Sequence, residues 1–193
     1  IAEIYIAAAK AMRQAGKLNG VADEGGVWPD FRANEDGLEL LVKAIESAGL
    51  KPGKDVGIAL DIAAASFYVD GRYRLALEGK NLDTSGMIDM LDRWVATYPI
   101  VSLEDPLAED DDEGFVEITH RLGTSVQIVG DDYLTTSSAR IAHASALNAC
   151  NSVLLKSNQC GTLTELIQAS SLARSLVWNT IQSGRSGESE DVT

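Results

Sequence analysis

Short runs of Val, Ile and Leu recur along this chain, and nearly every one stops on an ionisable residue. "VGIALD" closes on Asp61, "PIVSLED" on Glu104 and Asp105, "SVQIVGDD" on Asp131 and Asp132, and "NSVLLK" on Lys156. An earlier run, Val21-Ala22, meets "DEGG" with Glu24 inside it, and a last one, "WNTIQSGRSG", leads to Arg185 and Ser186. Between the runs lie segments with helical spacing of apolar residues, such as Leu38, Leu41, Val42 and Ile45, or Met87, Ile88, Leu91 and Val95. Strands alternating with helices imply parallel pairing through right-handed crossovers. Runs this apolar, with weak alternation, suit strands covered on both faces. No GxGxxG follows the first strand, which argues against an open dinucleotide-binding sheet. The remaining common solution is a (β/α)8-type barrel, which needs eight strands and ~250 residues. Six strand-helix units in 193 residues predict an incomplete barrel, short by two strands.

Other local signals refine the reading. Ile1, Ile4, Tyr5, Ala8, Ala11 and Met12 form the stripe of a first helix. Asn34 is expected to cap the second, and "TLTE" (Thr162 to Glu165) to box a late helix buried through Leu166, Ile167 and Leu172. Asp110 to Glu113 is expected to be a solvated loop. Trp28, Trp94 and Trp178 are expected in packing roles, and His120 and His143 on helices away from the strand ends.

Parallel barrels place their chemistry at the carboxyl ends of strands, so the charged ends here should converge on one mouth. Asp61, Glu104 and Asp131 would repel one another unless something positive sat between them. A hard divalent cation with oxygen ligands, Mg²⁺ before others, meets that need. Lys156 on the next strand would stand beside it, in a field that makes an amine a usable base.

Charge and cysteine content narrow the partners. There are 29 acidic residues against 16 basic, a net charge of −13, with no local basic patch; nucleic acid and anionic membranes are disfavoured. Cys150 and Cys160 form no CxxC pair and are expected to be reduced, buried thiols of a cytoplasmic protein. Unpaired strand edges invite association, so a further segment or a partner chain should cover them, and a homodimer or larger homo-oligomer is expected.

The blocks "VADEGGVWPD", "IALDIAAASFY", "PIVSLEDPLAEDD", "VQIVGDD", "LLKSNQCGTLTE" and "RSGESED" resemble, in order and spacing, the successive strand-end motifs of enolase (phosphopyruvate hydratase). The resemblance spans almost the whole chain. It implies a C-terminal barrel domain over residues 1–193, truncated at both ends, with the family's N-terminal domain absent. It implies a lyase of glycolysis that interconverts 2-phosphoglycerate and phosphoenolpyruvate, a small phosphorylated carboxylate substrate, and Mg²⁺ on Asp61, Glu104 and Asp131. It further implies Lys156 as general base, Glu24 as acid toward the departing hydroxyl, and Arg185 and Ser186 on the phosphate. The chain departs from the family where Gly184 replaces a substrate-side His and where Ala65 and Ser66 replace Ser-Glu. It departs again where Ser137, Ser138 and Ala139 replace Asn-Pro-Lys. These departures keep two alternatives open: a non-catalytic enolase-like scaffold, and a relative acting on another carboxylate.

Overall fold

The computed structural model describes residues 1–22 and 25–184; Glu24, Arg185 and Ser186 therefore lie outside the described residues. Helix α1 (Ala2–Gln14) leads to β1 (Leu18–Val21), β2 (Val27–Pro29) and α2 (Asn34–Ser47). The next strand, β3 (Ile58–Asp61), precedes a meander of β4 (Tyr68–Val69), β5 (Arg72–Leu75) and β6 (Lys80–Leu82). Then come α3 (Thr84–Thr97), β7 (Ile100–Glu104), α4 (Asp112–Leu122), β8 (Gln127–Gly130), α5 (Ser138–Leu147) and β9 (Ser152–Leu155). The described chain closes with α6 (Ser157–Cys160), α7 (Leu163–Ser175) and β10 (Asn179–Gln182).

The main sheet is parallel, in the order β10-β9-β8-β7-β3. Each strand lies beside its predecessor in this series, the arrangement in which successive crossovers curl a sheet toward a barrel. Its helices supply the apolar stripes that the spacing predicts: Met87, Ile88 and Leu91 of α3 are buried with Val95 packed beside them, joined by Met90 and Trp94, and Phe115, Ile118 and Leu122 of α4 are buried. β9 is buried at every position, as a strand covered on both faces must be. Phe115 stacks flat on Tyr133, ring centroids 3.8 Å apart, which ties α4 to the loop leaving β8.

One expected strand does not join this sheet. The Val21-Ala22 run belongs to β1, which pairs antiparallel with β2 in a hairpin, so the parallel sheet of the described residues has five strands and not six. The reason is local. Gly25 adopts φ 83°, its N–H donates to Ala22 O (2.8 Å), and Ala22 N–H donates to Gly26 O (2.8 Å). A hairpin closes a far shorter loop than a parallel pairing, at lower entropic cost.

The meander also lay unnoticed between Asp61 and Met87. Its signal is Asp70-Gly71, both at positive φ (51° and 76°), the requirement of a tight two-residue hairpin turn. Tyr73 on β5 is fully buried, and its hydroxyl accepts the Ala108 N–H at 2.9 Å, pinning the meander to the segment that follows β7. Burial pushes the Tyr73 phenol up to about 12.

Other expectations need smaller corrections. Asn34 does not cap α2; Ala33 occupies that position, and the Asn34 amide donates to Glu78 Oε1 at 2.8 Å. Asp110 to Glu113 is not simply a solvated loop. Asp111 caps α4 by accepting Gly114 N–H (2.9 Å), and Asp112 and Glu113 occupy its positively polarised first turn. Asp112 also accepts from the Tyr133 hydroxyl (2.7 Å) and pairs with His143 Nε2 (2.8 Å). Trp94 is buried with its indole N–H on Glu35 and Trp178 packs on the core, but Trp28 is 64% exposed. Ile1 and Ile167 are exposed, while Leu166 and Leu172 of α7 pack against the core as expected, beside the fully buried Ala169 and Ala173. Thr162 caps α7 as predicted, accepting Glu165 N–H at 3.2 Å. Both cysteines are free, Cys150 buried and Cys160 half-buried. No helix among the described residues is long and apolar enough to cross a membrane.

Replacing Tyr73 by Phe leaves the Ala108 N–H buried without its acceptor, and urea unfolding should show a loss of ~1–3 kcal/mol. The acid limb of stability should carry the mark of Asp112. Hydrogen bonds from His143 and then Tyr133 hold its carboxyl below the ordinary 3.8. A depressed carboxyl stabilises the fold above its unfolded pKa and loses that contribution as pH falls through the folded one. Asp112→Asn should therefore unfold earlier than the parent near neutrality, and the gap should close as the pH drops below about 4.

Candidate active site

Register brings the charged strand ends level. Asp61 on β3 pairs with Glu104 on β7, and Glu104 pairs with Val129 on β8, two residues before Asp131. Lys156 directly follows β9, and Ser183 and Gly184 follow β10. Asp61, Glu104, Asp131, Asp132, Lys156 and Gly184 all line one cavity of about 750 Å³ at this end of the sheet. Gly130 allows the close approach there, because a Cβ on it would overlap the Leu134 side chain. A second cavity, about 560 Å³, opens between α2 and the meander; its walls are mainly apolar and Asp61 is the one strand-end acid it shares.

Two of the carboxylates at the mouth, Glu104 and Asp61, hold their protons more tightly than an exposed acid does. Burial, reinforced by the charges of Asp61, Asp131 and Asp105, pushes Glu104 up to about 8, with Lys156 opposing. Burial also raises Asp61, against a hydrogen bond from Ala63 N–H (3.1 Å), and Asp131 adds to the rise. The Lys156 ammonium is salt-bridged to Asp131 Oδ2, and both side chains are about nine-tenths buried. Buried charges persist only when paired and hydrogen-bonded in this way.

Asp105 is built differently. It sits at φ 39°, and its two carboxylate oxygens accept Asp131 N–H (2.9 Å) and Asp132 N–H (2.8 Å). This clamp fixes the chain after β8 to the chain after β7. Burial still lifts Asp105 to about 6 despite those two bonds.

Among the described residues, the acids whose oxygens all lie within 4.8 Å of one another are Asp105, Asp131 and Asp132. The set expected from sequence, Asp61, Glu104 and Asp131, shares the cavity but is more widely spread. Asp131 is engaged by Lys156 and by Gln159, and Asp61 by Ala63 N–H. Of the two sets, the strand-end acids have more free coordination capacity, since both Asp105 oxygens already accept backbone bonds. Clustered, partly buried carboxylate oxygens are the donors that suit a hard divalent cation, and these residues fit one.

Sequence reasoning noted Asp105 and Asp132 at strand ends without giving them a role, and passed over Thr136 and Gln159. The doubled acids in "LEDP" and "GDD" carried a signal for the first two: one of each pair can face the mouth while the other holds the backbone. The departures near Asp61 and Asp131 also acquire local roles. Ser66 Oγ turns back onto Ala63 O (2.7 Å), and Ser137 caps α5 by accepting Arg140 N–H (3.5 Å).

Comparison with known proteins agrees with this architecture. The family described as "Enolase, C-terminal TIM barrel domain" matches residues 2–193. "Enolase 1" of Desulfitobacterium hafniense (strain Y51) is 45% identical over 196 residues, an alignment covering 100% of this chain and 45% of that protein. The chain thus spans somewhat under half the length of this relative. With its curled parallel sheet and acid-lined mouth, the chain belongs to the enolase family and represents its C-terminal barrel portion.

Proposed function

We propose that this chain carries the metal- and base-bearing part of a Mg²⁺-dependent lyase interconverting 2-phosphoglycerate and phosphoenolpyruvate. The observation that supports it most is the meeting of Asp61, Glu104, Asp131 and Lys156 in one cavity at the strand ends, in a chain of the enolase family. Asp61, Glu104 and Asp131 would hold the ion. A divalent cation there supplies positive charge against which negative charge on the substrate carboxylate can develop.

The chain's own residues divide the remaining work. Lys156 Nζ takes the proton from the carbon beside the substrate carboxylate. In the present arrangement its ammonium is held by Asp131, so the amine becomes available only once Asp131 is satisfied by another positive charge. Carbon acids of this kind are weak, and a lysine amine held in place beside the reacting carbon is suited to them. Resemblance assigns Glu24 to protonate the leaving hydroxyl and Arg185 and Ser186 to grip the phosphate.

One observation favours a second reading, in which the fold is kept as a scaffold. Gly184 lines the cavity at the position where enolases carry an imidazole, so the substrate side lacks a donor.

Lys156→Ala should slow solvent-deuterium exchange into 2-phosphoglycerate by ~10²–10⁴-fold while leaving cation affinity nearly intact, because the amine is not a ligand. Glu104→Gln should weaken the cation first, by calorimetry, and exchange only in consequence. Exchange that survives Lys156→Ala unchanged means another group is the base. Gly184→His separates the two readings: phosphoenolpyruvate formation should rise if the site is an impaired enzyme, and stay at background if it is a scaffold.

A further inference from the structure

The geometry between Lys156 and Asp131 is set by two residues that do not line the cavity, Thr136 and Gln159. β8 and β9 pair only at Val129–Ser152 and Gly130–Val153, so the ladder ends before Lys156 is reached. The Thr136 hydroxyl takes over at that point. It accepts the Lys156 backbone N–H at 3.0 Å and has two acceptors for its own proton, Gln159 Oε1 at 3.0 Å and Leu154 O at 3.3 Å. Thr136 is 1% exposed and stands at φ 51°, directly after Thr135 at φ 49°. Two successive non-glycine residues in the left-handed region are costly, and such strain persists only where the surroundings over-determine it.

Gln159 completes the connection. Its amide oxygen faces the Thr136 hydroxyl, and its amide nitrogen donates to Asp131 Oδ1 (3.5 Å) and Asp132 Oδ1 (3.4 Å). One orientation of the carboxamide satisfies both ends; the reverse would set its oxygen against two carboxylates. Asp131 is therefore held from both sides, by the Lys156 ammonium on Oδ2 and by Gln159 on Oδ1.

We propose that Thr136 and Gln159 act as a positioning pair, fixing the Asp131 carboxylate relative to the Lys156 backbone, and so to the side chain it carries, through one chain of hydrogen bonds. The inference rests on the roles proposed above for Asp131 as ligand and Lys156 as base. Groups that orient a ligand from behind commonly matter ~10–100-fold to cation affinity, although they touch no ion.

The test is Mn²⁺ affinity by titration calorimetry, with thermal unfolding measured alongside. Gln159→Leu keeps the bulk and loses both polar ends; it should weaken Mn²⁺ binding by ~10–100-fold with little change in unfolding, since the side chain is only half-buried. Thr136→Val should weaken binding likewise, and Thr136→Ser, which keeps the hydroxyl, should restore it. Unchanged or tighter binding in Gln159→Leu overturns the pair, and so does a Thr136→Ser protein that binds no better than Thr136→Val. Asp131→Asn is the control on the underlying reading. If it abolishes binding while Gln159→Leu leaves affinity unchanged, the pair alone is wrong. If it leaves affinity unchanged, the ligand role is wrong and the pair falls with it.

Discussion

A single buried ammonium set among crowded carboxylates is the interaction around which the mouth of this sheet is organised. Unit charges of like sign ~5 Å apart repel by about 3 kcal/mol at an effective dielectric of ~20. Asp61, Glu104 and Asp131 share one cavity, and Lys156 is the only cation lining it among the described residues. One positive charge cannot offset three negative ones. The deficit appears as the rise of Glu104 from 4.5 to about 8, with burial as the larger cause and its acidic neighbours next. Such a set has a standing affinity for positive charge, whether delivered as protons or as a divalent ion. The same imbalance gives the site its chemistry: whatever neutralises Asp131 loosens the hold on the Lys156 ammonium.

The backbone around the mouth is strained to keep the acids in place. Ala63, Asp105, Thr135 and Thr136 all have φ between 39° and 51°, and each follows the carboxyl end of a parallel strand by a few residues. Non-glycine residues there cost ~1–3 kcal/mol apiece. Two of the four have visible compensation in side-chain hydrogen bonds. Asp105 accepts two N–H groups from the neighbouring strand end, and Thr136 accepts one from Lys156. A chain leaving a strand must turn sharply if its first polar side chain is to face the axis of the sheet and its backbone is still to connect to a helix outside. The left-handed residue is how that turn is made.

These circumstances explain what was legible in the sequence. Strand ends announce themselves because an apolar run stops on a charge, and parallel register does the rest; Asp61, Glu104, Asp131 and Lys156 needed no side-chain detail to be placed together. Positions that act through hydrogen bonds to backbone leave no such trace. Thr136 and Gln159 look like ordinary loop residues until the missing ladder bond at Lys156 is seen. Asp105 was masked by its neighbour, since either acid of a pair can face the mouth. The Val21-Ala22 run misled for a different reason: a strand signal does not name its partner, and β2 lay close enough to win by loop entropy. The α7 stripe misled at one position only: Leu166 and Leu172 pack against the core, whereas Ile167 is more than 60% exposed, because helical spacing tells which residues share a face and not where that face runs out into solvent.

The acid-bearing strand ends and the chain beyond β10 are separable here, and the fold explains why. Glu104, Asp131 and Lys156 sit on or directly after β7, β8 and β9, which have ladder partners on both sides, and Asp61 pairs with Glu104 across one of those ladders. Among the described residues β10, which Gly184 follows, has β9 as its one ladder partner. A side chain can be lost from such a position without disturbing the register of the strands that carry the acids. Glycine there leaves the cavity lined by backbone at that point. Gly184 leaves that point of the cavity without a side-chain donor and does not touch the charges on the strand ends. A chain built in this way keeps the charge imbalance that draws positive charge to the mouth, whatever side chains line the rest of the cavity.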